Sequence, residues 1–252
     1  MSACASSSDT TGRRIVLETK ITAGAEATKA FTNSQGWSVS LNKLVLSTGP
    51  FYYFDGATIF SRTFPVKKSP LDRVEEWMGI RVAYAHPGHY IAGNARGQML
   101  IPSSVDLRAG DSDLARGEGV TGIVRSATFS YSTPATGPLA SELGVHVAVI
   151  EGTATKGGDS RSFRAEIEAS DLANTKNALA IEGCPFNEAD MQADGTVTVN
   201  IKLPLWFDQV EFDSVPQSTD GKPVVIPASA IARNELVRGM KAGDGYVFSY
   251  SR

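Results

Sequence analysis

The chain has 252 residues, 42% of them hydrophobic and 20% charged, with a formal net charge of −3. That balance fills a core of ordinary size and suits one large β domain. With no basic excess to neutralise phosphates, nucleic acid is excluded as a partner, and no run of about 18 apolar residues is present to cross a membrane as a helix.

Met1-Ser2-Ala3-Cys4 reads as the end of a bacterial lipobox, with small residues ahead of a cysteine that is acylated. The Ser/Thr/Gly-rich stretch from Ala5 to Gly12 then reads as a flexible tether. Residues 1–14 are thus expected to be a lipoprotein-like tether with its lipid on Cys4, and residues 15–252 a single domain. Membrane contact is expected only through that N-terminal anchor. The chain has two cysteines. Cys184 is either a small buried hydrophobe or the disulfide partner of Cys4, and the second case rules out acylation.

Apolar and polar residues alternate with period two from there onward, the pattern of strands with one face on a core. Ile15, Leu17, Thr19 and Ile21 share one parity, and Trp37, Val39 and Leu41 alternate with serines and Asn42. Phe51-Tyr52-Tyr53-Phe54 places Phe51 and Tyr53 on one face and Tyr52 and Phe54 on the other. Further strands are expected at Met78–Tyr84, Val120–Tyr131, Val145–Val149, Phe163–Ile167, Val197–Leu203 and Tyr246–Tyr250. Gly157-Gly158 predicts a tight hairpin, and Ala193-Asp194-Gly195 opens another strand. Asn187–Gln192 suggests one short helical turn. Ser229–Lys241 predicts a helix with Ser229 as N-cap, Ile231, Leu236 and Met240 on its apolar stripe, and Gly243 near its stop. Thr133–Glu142 and Asp213–Asp220 read as loops. The expected fold is therefore all-β, an antiparallel two-sheet β-sandwich with one short C-terminal helix.

The strongest chemical signal is Tyr84-Ala85-His86-Pro87-Gly88-His89-Tyr90. Pro-Gly is the favoured centre of a type II turn, which brings its first and fourth Cα atoms within about 7 Å and lets two imidazoles converge on one ion. Two of the chain's three histidines lie there. His146 is the first candidate for a further ligand. Cys184 and Met99 would suit a soft ion such as Cu(I), and Glu151 or Asp106 would suit zinc. The competing reading is a surface turn whose histidines meet only water or the flanking tyrosines.

Other signals are weaker. Gly117-Glu118-Gly119-Val120-Thr121-Gly122 matches G-x-G-x-x-G, but a β-rich run follows it where a dinucleotide site needs a helix, so the glycines are read as a turn into a strand. Asp111-Ser112-Asp113 lacks the remaining ligands of a calcium loop. Trp37 is expected in the core, while Trp77 and Trp206 are left open. No G-x-S-x-G, H-E-x-x-H, P-loop or kinase motif occurs, and the chain is read as not an enzyme.

In layout the chain resembles bacterial envelope lipoproteins of the methanobactin-associated "metallo-mystery pair" type. The likeness rests on the early strand Gly36–Leu46 leading into the aromatic segment, the central glycine-rich strand and hairpin, and Asp194–Val199 followed by Trp206-Phe207. It implies an exported β-sandwich and copper binding through histidine, for which only His86 and His89 can be carried over. Taken together, the expectation is a protein of the periplasm or outer membrane that binds copper or zinc through His86, His89 and His146 in metal handling or uptake. The alternative is a non-enzymatic envelope interaction module that binds a protein or glycan through its loops, which exposed rings at Phe51–Phe54 or Trp77 would favour.

Overall fold

The structure is a computed structural model that describes residues 12–58, 90, 92–219 and 221–252. Cys4, Trp77, the strand expected at Met78–Tyr84 and the His86–His89 turn lie outside the described residues. Within them run β1 (Arg14–Thr22), β2 (Phe31–Thr32), β3 (Ser38–Thr48), β4 (Phe51–Phe54), β5 (Ala95–Met99), β6 (Ser103–Asp106) and β7 (Ser112–Val120). Next come β8 (Gly122–Ser130), β9 (Ala148–Lys156), β10 (Asp159–Ile167), β11 (Ala180–Met191), β12 (Gly195–Ile201), β13 (Val224–Val225) and β14 (Tyr246–Ser251).

The expected two-sheet sandwich is overturned. Eight strands close into a barrel in the order β1-β12-β14-β11-β8-β4-β5-β7, with β7 pairing back onto β1. The second layer is a sheet ordered β13-β10-β9-β3-β2, with β6 also on β3. Nor is the pairing all antiparallel: β1–β12, β11–β14 and β10–β13 are parallel. Alternation reports that a strand has one wet and one dry face, and both architectures satisfy that.

Closure is visible in what fills the barrel. Inward side chains of β1 (Ile15, Leu17, Ile21) meet Val197, Val199 and Phe248 in a dry interior. Phe51 stacks on Phe129 at 4.9 Å between ring centroids, and Tyr53, Phe186 and Phe248 pack at about 6 Å. An eight-stranded barrel is just wide enough to be filled by side chains, so this one encloses a core and not a channel. The G-x-G-x-x-G stretch serves that closure. Gly117 and Gly119 lie within β7, not in a turn, and only Gly122, at φ +143°, starts the next strand. A Cβ on Gly117 would stand 2.6 Å from the backbone oxygen of Gln98, and one on Gly119 2.9 Å from Leu17 Cδ1. Absent side chains let β5 close against β7 at the two residue pairs Gly97↔Gly119 and Gln98↔Glu118.

At one rim of the barrel the start of β14 is pinned by a buried hydroxyl chain. Tyr246 Oη lies 2.5 Å from the carbonyl oxygen of Met240 and 2.6 Å from Tyr131 Oη. A carbonyl can only accept, so Tyr246 donates to Met240 and Tyr131 donates to Tyr246. Trp206, left open by the sequence, is buried against Tyr246. Trp37 is buried as expected. Its ring meets Phe212 edge-on and its indole N–H donates to Glu211 at 2.7 Å.

Several local expectations hold. Gly157 and Gly158, both at positive φ, form a two-residue hairpin between Lys156 and Asp159. Phe163, Ala165 and Ile167 are buried while Arg164 and Glu166 are not. The C-terminal helix spans Ile231–Met240, but its N-cap is Ala230 rather than Ser229, and Ile231 is exposed while Ala232 and Arg233 face inward. Asn187–Gln192 is not a helical turn. Residues through Met191 belong to β11, whose register slips between Pro185 and Ala189. Thr133–Glu142 ends in a short helix at Ala140–Leu143.

Candidate functional site

The histidine turn falls in the connection from β4 to β5, and the structure describes how that connection is rooted. The two strands pair antiparallel from Phe51↔Met99 to Phe54↔Ala95. The ladder continues past them: Asp55 N–H donates to Asn94 O at 3.1 Å and Gly56 N–H to Ala92 O at 2.8 Å. The two ends of the connection are therefore paired side by side as far as Gly56 and Ala92.

Asp55 organises the root. Its Oδ1 accepts the Asn94 backbone N–H at 2.7 Å, and its Oδ2 accepts Asn94 Nδ2 at 3.1 Å and the Arg96 guanidinium at 2.8 and 3.1 Å. Gly93, at φ +75°, makes room, since a Cβ there would stand 2.3 Å from Asp55 Oδ1. Burial alone would raise the Asp55 carboxyl, but the Asn94 and Arg96 hydrogen bonds and the Arg96 charge outweigh it and hold the group below its ordinary value. A depressed carboxyl contributes stability that is complete above the unfolded-state pKa and is lost as pH falls through the folded one. Asp55→Asn is therefore expected to lower stability by about 1.5 kcal/mol at pH 7, the scale of charged hydrogen bonds. The difference from wild type should shrink as pH drops below about 4, which is the ordinary carboxylate range. Urea midpoints at pH 7 and pH 3 measure it.

Ser126, wholly buried on β8, touches both ends of the connection. Its hydroxyl donates to Gly56 O, and its oxygen lies 2.8 Å from Tyr90 Oη. Because Ser126 spends its proton on a carbonyl, Tyr90 is the donor of the second bond. Burial raises the Tyr90 phenol, the Ser126 bond lowers it, and Cys184 and Glu182 raise it further. The net shift is upward, which keeps the phenol protonated. The Tyr90 ring packs over Gly183, 3.5 Å from where a Cβ would stand. Beside this root Arg125 donates to Asp55 O at 3.3 Å and to Glu188 at 2.8 Å.

His146 sits elsewhere, on the second sheet just before β9. Its backbone N–H caps Leu143 O, and its Nε2 lies 3.6 Å from Glu166 Oε2. Nδ1 is buried with no hydrogen-bond partner among the described residues. Glu166 also binds Arg164 at 2.6 Å, and Arg164 reaches Glu151, so these carboxylates are spoken for by a guanidinium. Met99 and Cys184 are buried in the barrel core. Burial pushes the Cys184 thiol up to about 12, and its Sγ donates to Ile181 O at 3.2 Å. Asp106 Oδ1 accepts the Arg108 N–H at 2.9 Å. Among the described residues no three of His, Cys, Asp and Glu converge in a way that could hold a metal ion. In the aromatic run, Phe51 and Tyr53 are buried and Tyr52 and Phe54 half-buried, so it offers no open platform for a glycan or partner.

The sequence reading missed Ser126, Asp55 and Arg96. The available signal was positional: Asp55-Gly56 directly follows the aromatic strand, and Asn94-Ala95-Arg96 directly precedes its partner.

No family model matches the chain, and no curated protein matches it. Among solved structures the fold is distantly similar to MbnP from Methylosinus trichosporium, at 10% identity and a TM-score of 0.42, over 95% of this chain and 99% of that one. A likeness this distant says nothing about metal, partner or site.

Proposed function

We propose that this chain is a non-enzymatic, exported bacterial protein, held at the periplasm or outer membrane through lipid on Cys4, that binds a copper or zinc ion through His86 and His89. The observation that carries the reading is the His-Pro-Gly-His spacing, set in a connection whose two ends are joined at the barrel rim. A ladder closed beneath the connection reduces the freedom that two ligands lose on meeting one ion. Neutral imidazole is the ligand form, which makes affinity fall below about pH 6 as the rings protonate.

Calorimetric titration with Zn²⁺ and, under reducing conditions, with Cu(I) tests this. Wild type is expected to bind one ion and the His86→Ala/His89→Ala variant none. No heat from wild type ends the reading. A third arm, His146→Ala, decides whether that residue completes the ligand set: weakening by tenfold or more includes it, and unchanged binding leaves it to its Glu166 pair.

A further inference from the structure

We infer that the outer wall of the barrel carries a site for a small carboxylate with an apolar body, held by Arg14 at a concave patch where β1, β7 and β5 meet. The inference is independent of the histidine turn and starts from the strand register. On the outer face the pairs Arg14↔Val120 and Val16↔Glu118 join β1 to β7, and Gln98↔Glu118 joins β7 to β5. Continuing that register sets Arg96 opposite Val120. Two rows of side chains result, Arg14–Val120–Arg96 and Val16–Glu118–Gln98.

The patch is concave because of what the barrel interior lacks. Gly97 and Gly119 carry no inward side chain, and Leu17 Cδ1 stands 3.2 Å from the Cβ position of the first and 2.9 Å from that of the second. The two strands thus lie closer to Leu17 than any side chain would allow, and the wall dips on its outer side. The dip is a cavity of about 380 Å³ lined by both rows and by Gly97 and Gly119. That lies within the size range of small-molecule sites.

The lining points to one class of ligand. Arg96 is fixed in place, since its Nε and Nη2 both bind Asp55 Oδ2. Arg14 is exposed, and its guanidinium makes no hydrogen bond or ion pair among the described residues. A free guanidinium beside a concave surface is a bidentate seat for a carboxylate. The Cα atoms of Arg14 and Arg96 are about 10 Å apart by ordinary strand spacing, so a carboxylate over Val120 lies within reach of both side chains. Val16, at 44% exposure, and Val120 then cover the apolar body of the ligand. Glu118 stands diagonally from Arg14 and repels a second negative charge, which selects for monoanions.

The test is an NMR titration of the full chain with 3-phenylpropionate, following backbone amides, for wild type, Arg14→Gln, Glu118→Gln and Arg116→Gln. Arg116 is on β7, bonded to Glu18 at 2.7 Å and outside the cavity, so its variant controls for a general change of charge. All three side chains are exposed, which keeps folding out of the comparison. Wild type is expected to bind with a dissociation constant on the order of 1 mM, as suits a small ligand on an open surface. The largest shifts should fall at Val16, Gly97 and Gly119. Arg14→Gln should weaken binding about tenfold, the scale of a lost charged hydrogen bond. Glu118→Gln should strengthen it about threefold by removing a like charge near the surface, and Arg116→Gln should bind as wild type does. The neutral 3-phenylpropanamide should bind about tenfold more weakly than the acid, because it cannot form the charged pair. No saturable shift, shifts confined to residues outside the cavity, equal weakening by Arg14→Gln and Arg116→Gln, or an amide that binds as well as the acid each overturns the site.

Discussion

Arg233→Met is expected to cost about 3 kcal/mol of unfolding free energy, toward the lower end of the range for removing one partner of a buried ion pair. Arg233 lies on the inward face of the C-terminal helix at 5% exposure. Its guanidinium donates to Glu166 O at the end of β10 and to Asp171 Oδ2 at 2.6 Å. Methionine preserves most of the stem volume, so the loss isolates the charge and its hydrogen bonds from packing. The carboxylate left behind, at 24% side-chain exposure, regains some water, which keeps the cost from the top of the range. Asp171 also accepts the Glu168 N–H at 2.8 Å within the capping box of the Ala169–Leu172 helix. Asp171→Asn keeps one acceptor oxygen for that cap and should cost about half as much as Arg233→Met. Urea unfolding at pH 7 gives both numbers. An Arg233→Met loss under about 1 kcal/mol, the size of an exposed pair, would show that the helix is held by packing alone.

The second large effect separates two tyrosines that look alike. Tyr246→Phe should cost about 3 kcal/mol and Tyr131→Phe about 1 kcal/mol, because unmade buried hydrogen bonds cost more than missing ones. In Tyr246→Phe both Tyr131 Oη and the Met240 carbonyl lose their partner. In Tyr131→Phe the Tyr246 hydroxyl still donates to Met240, and only an acceptor lone pair goes unused. Burial pushes both phenols far above their ordinary value, so both stay protonated and the order of effects should not change between pH 5 and pH 9. Thermal and urea unfolding of the two variants check this. Equal losses would show that the bond from Tyr246 to the Met240 carbonyl contributes nothing of its own.

What the sequence reveals is whatever depends on neighbours along the chain. The alternation in Phe163–Ile167 and Val197–Ile201 matches their burial, and Gly157-Gly158 announces its hairpin because a two-residue turn needs positive φ at those positions. Closure was not legible. β1 looks the same whether it sits at the edge of a sandwich or between β12 and β7, since the pairing partners lie more than 90 residues away. Asn187–Gln192 misled for a related reason. Its polar run breaks alternation because β11 shifts register there, and broken alternation in a short window looks like a turn. Ile231 misled because a helix with Arg233 buried by an ion pair turns an aliphatic residue outward. At the root of the connection, Asp55 and Arg96 are 41 positions apart and Ser126 lies a further 30 along, and none carries a motif. Only the strand order brings them together.

The strand directions have one more outcome. β1 begins, and β4, β7, β11 and β14 end, at the same rim of the barrel. β1 and β14 flank β12 there, about 10 Å apart by ordinary strand spacing. The path into the domain, the path out of it and the stem of the histidine-bearing connection thus share one pole. Any leash attached ahead of Arg14 would aim that pole back toward whatever it is fixed to, and the second sheet would face away.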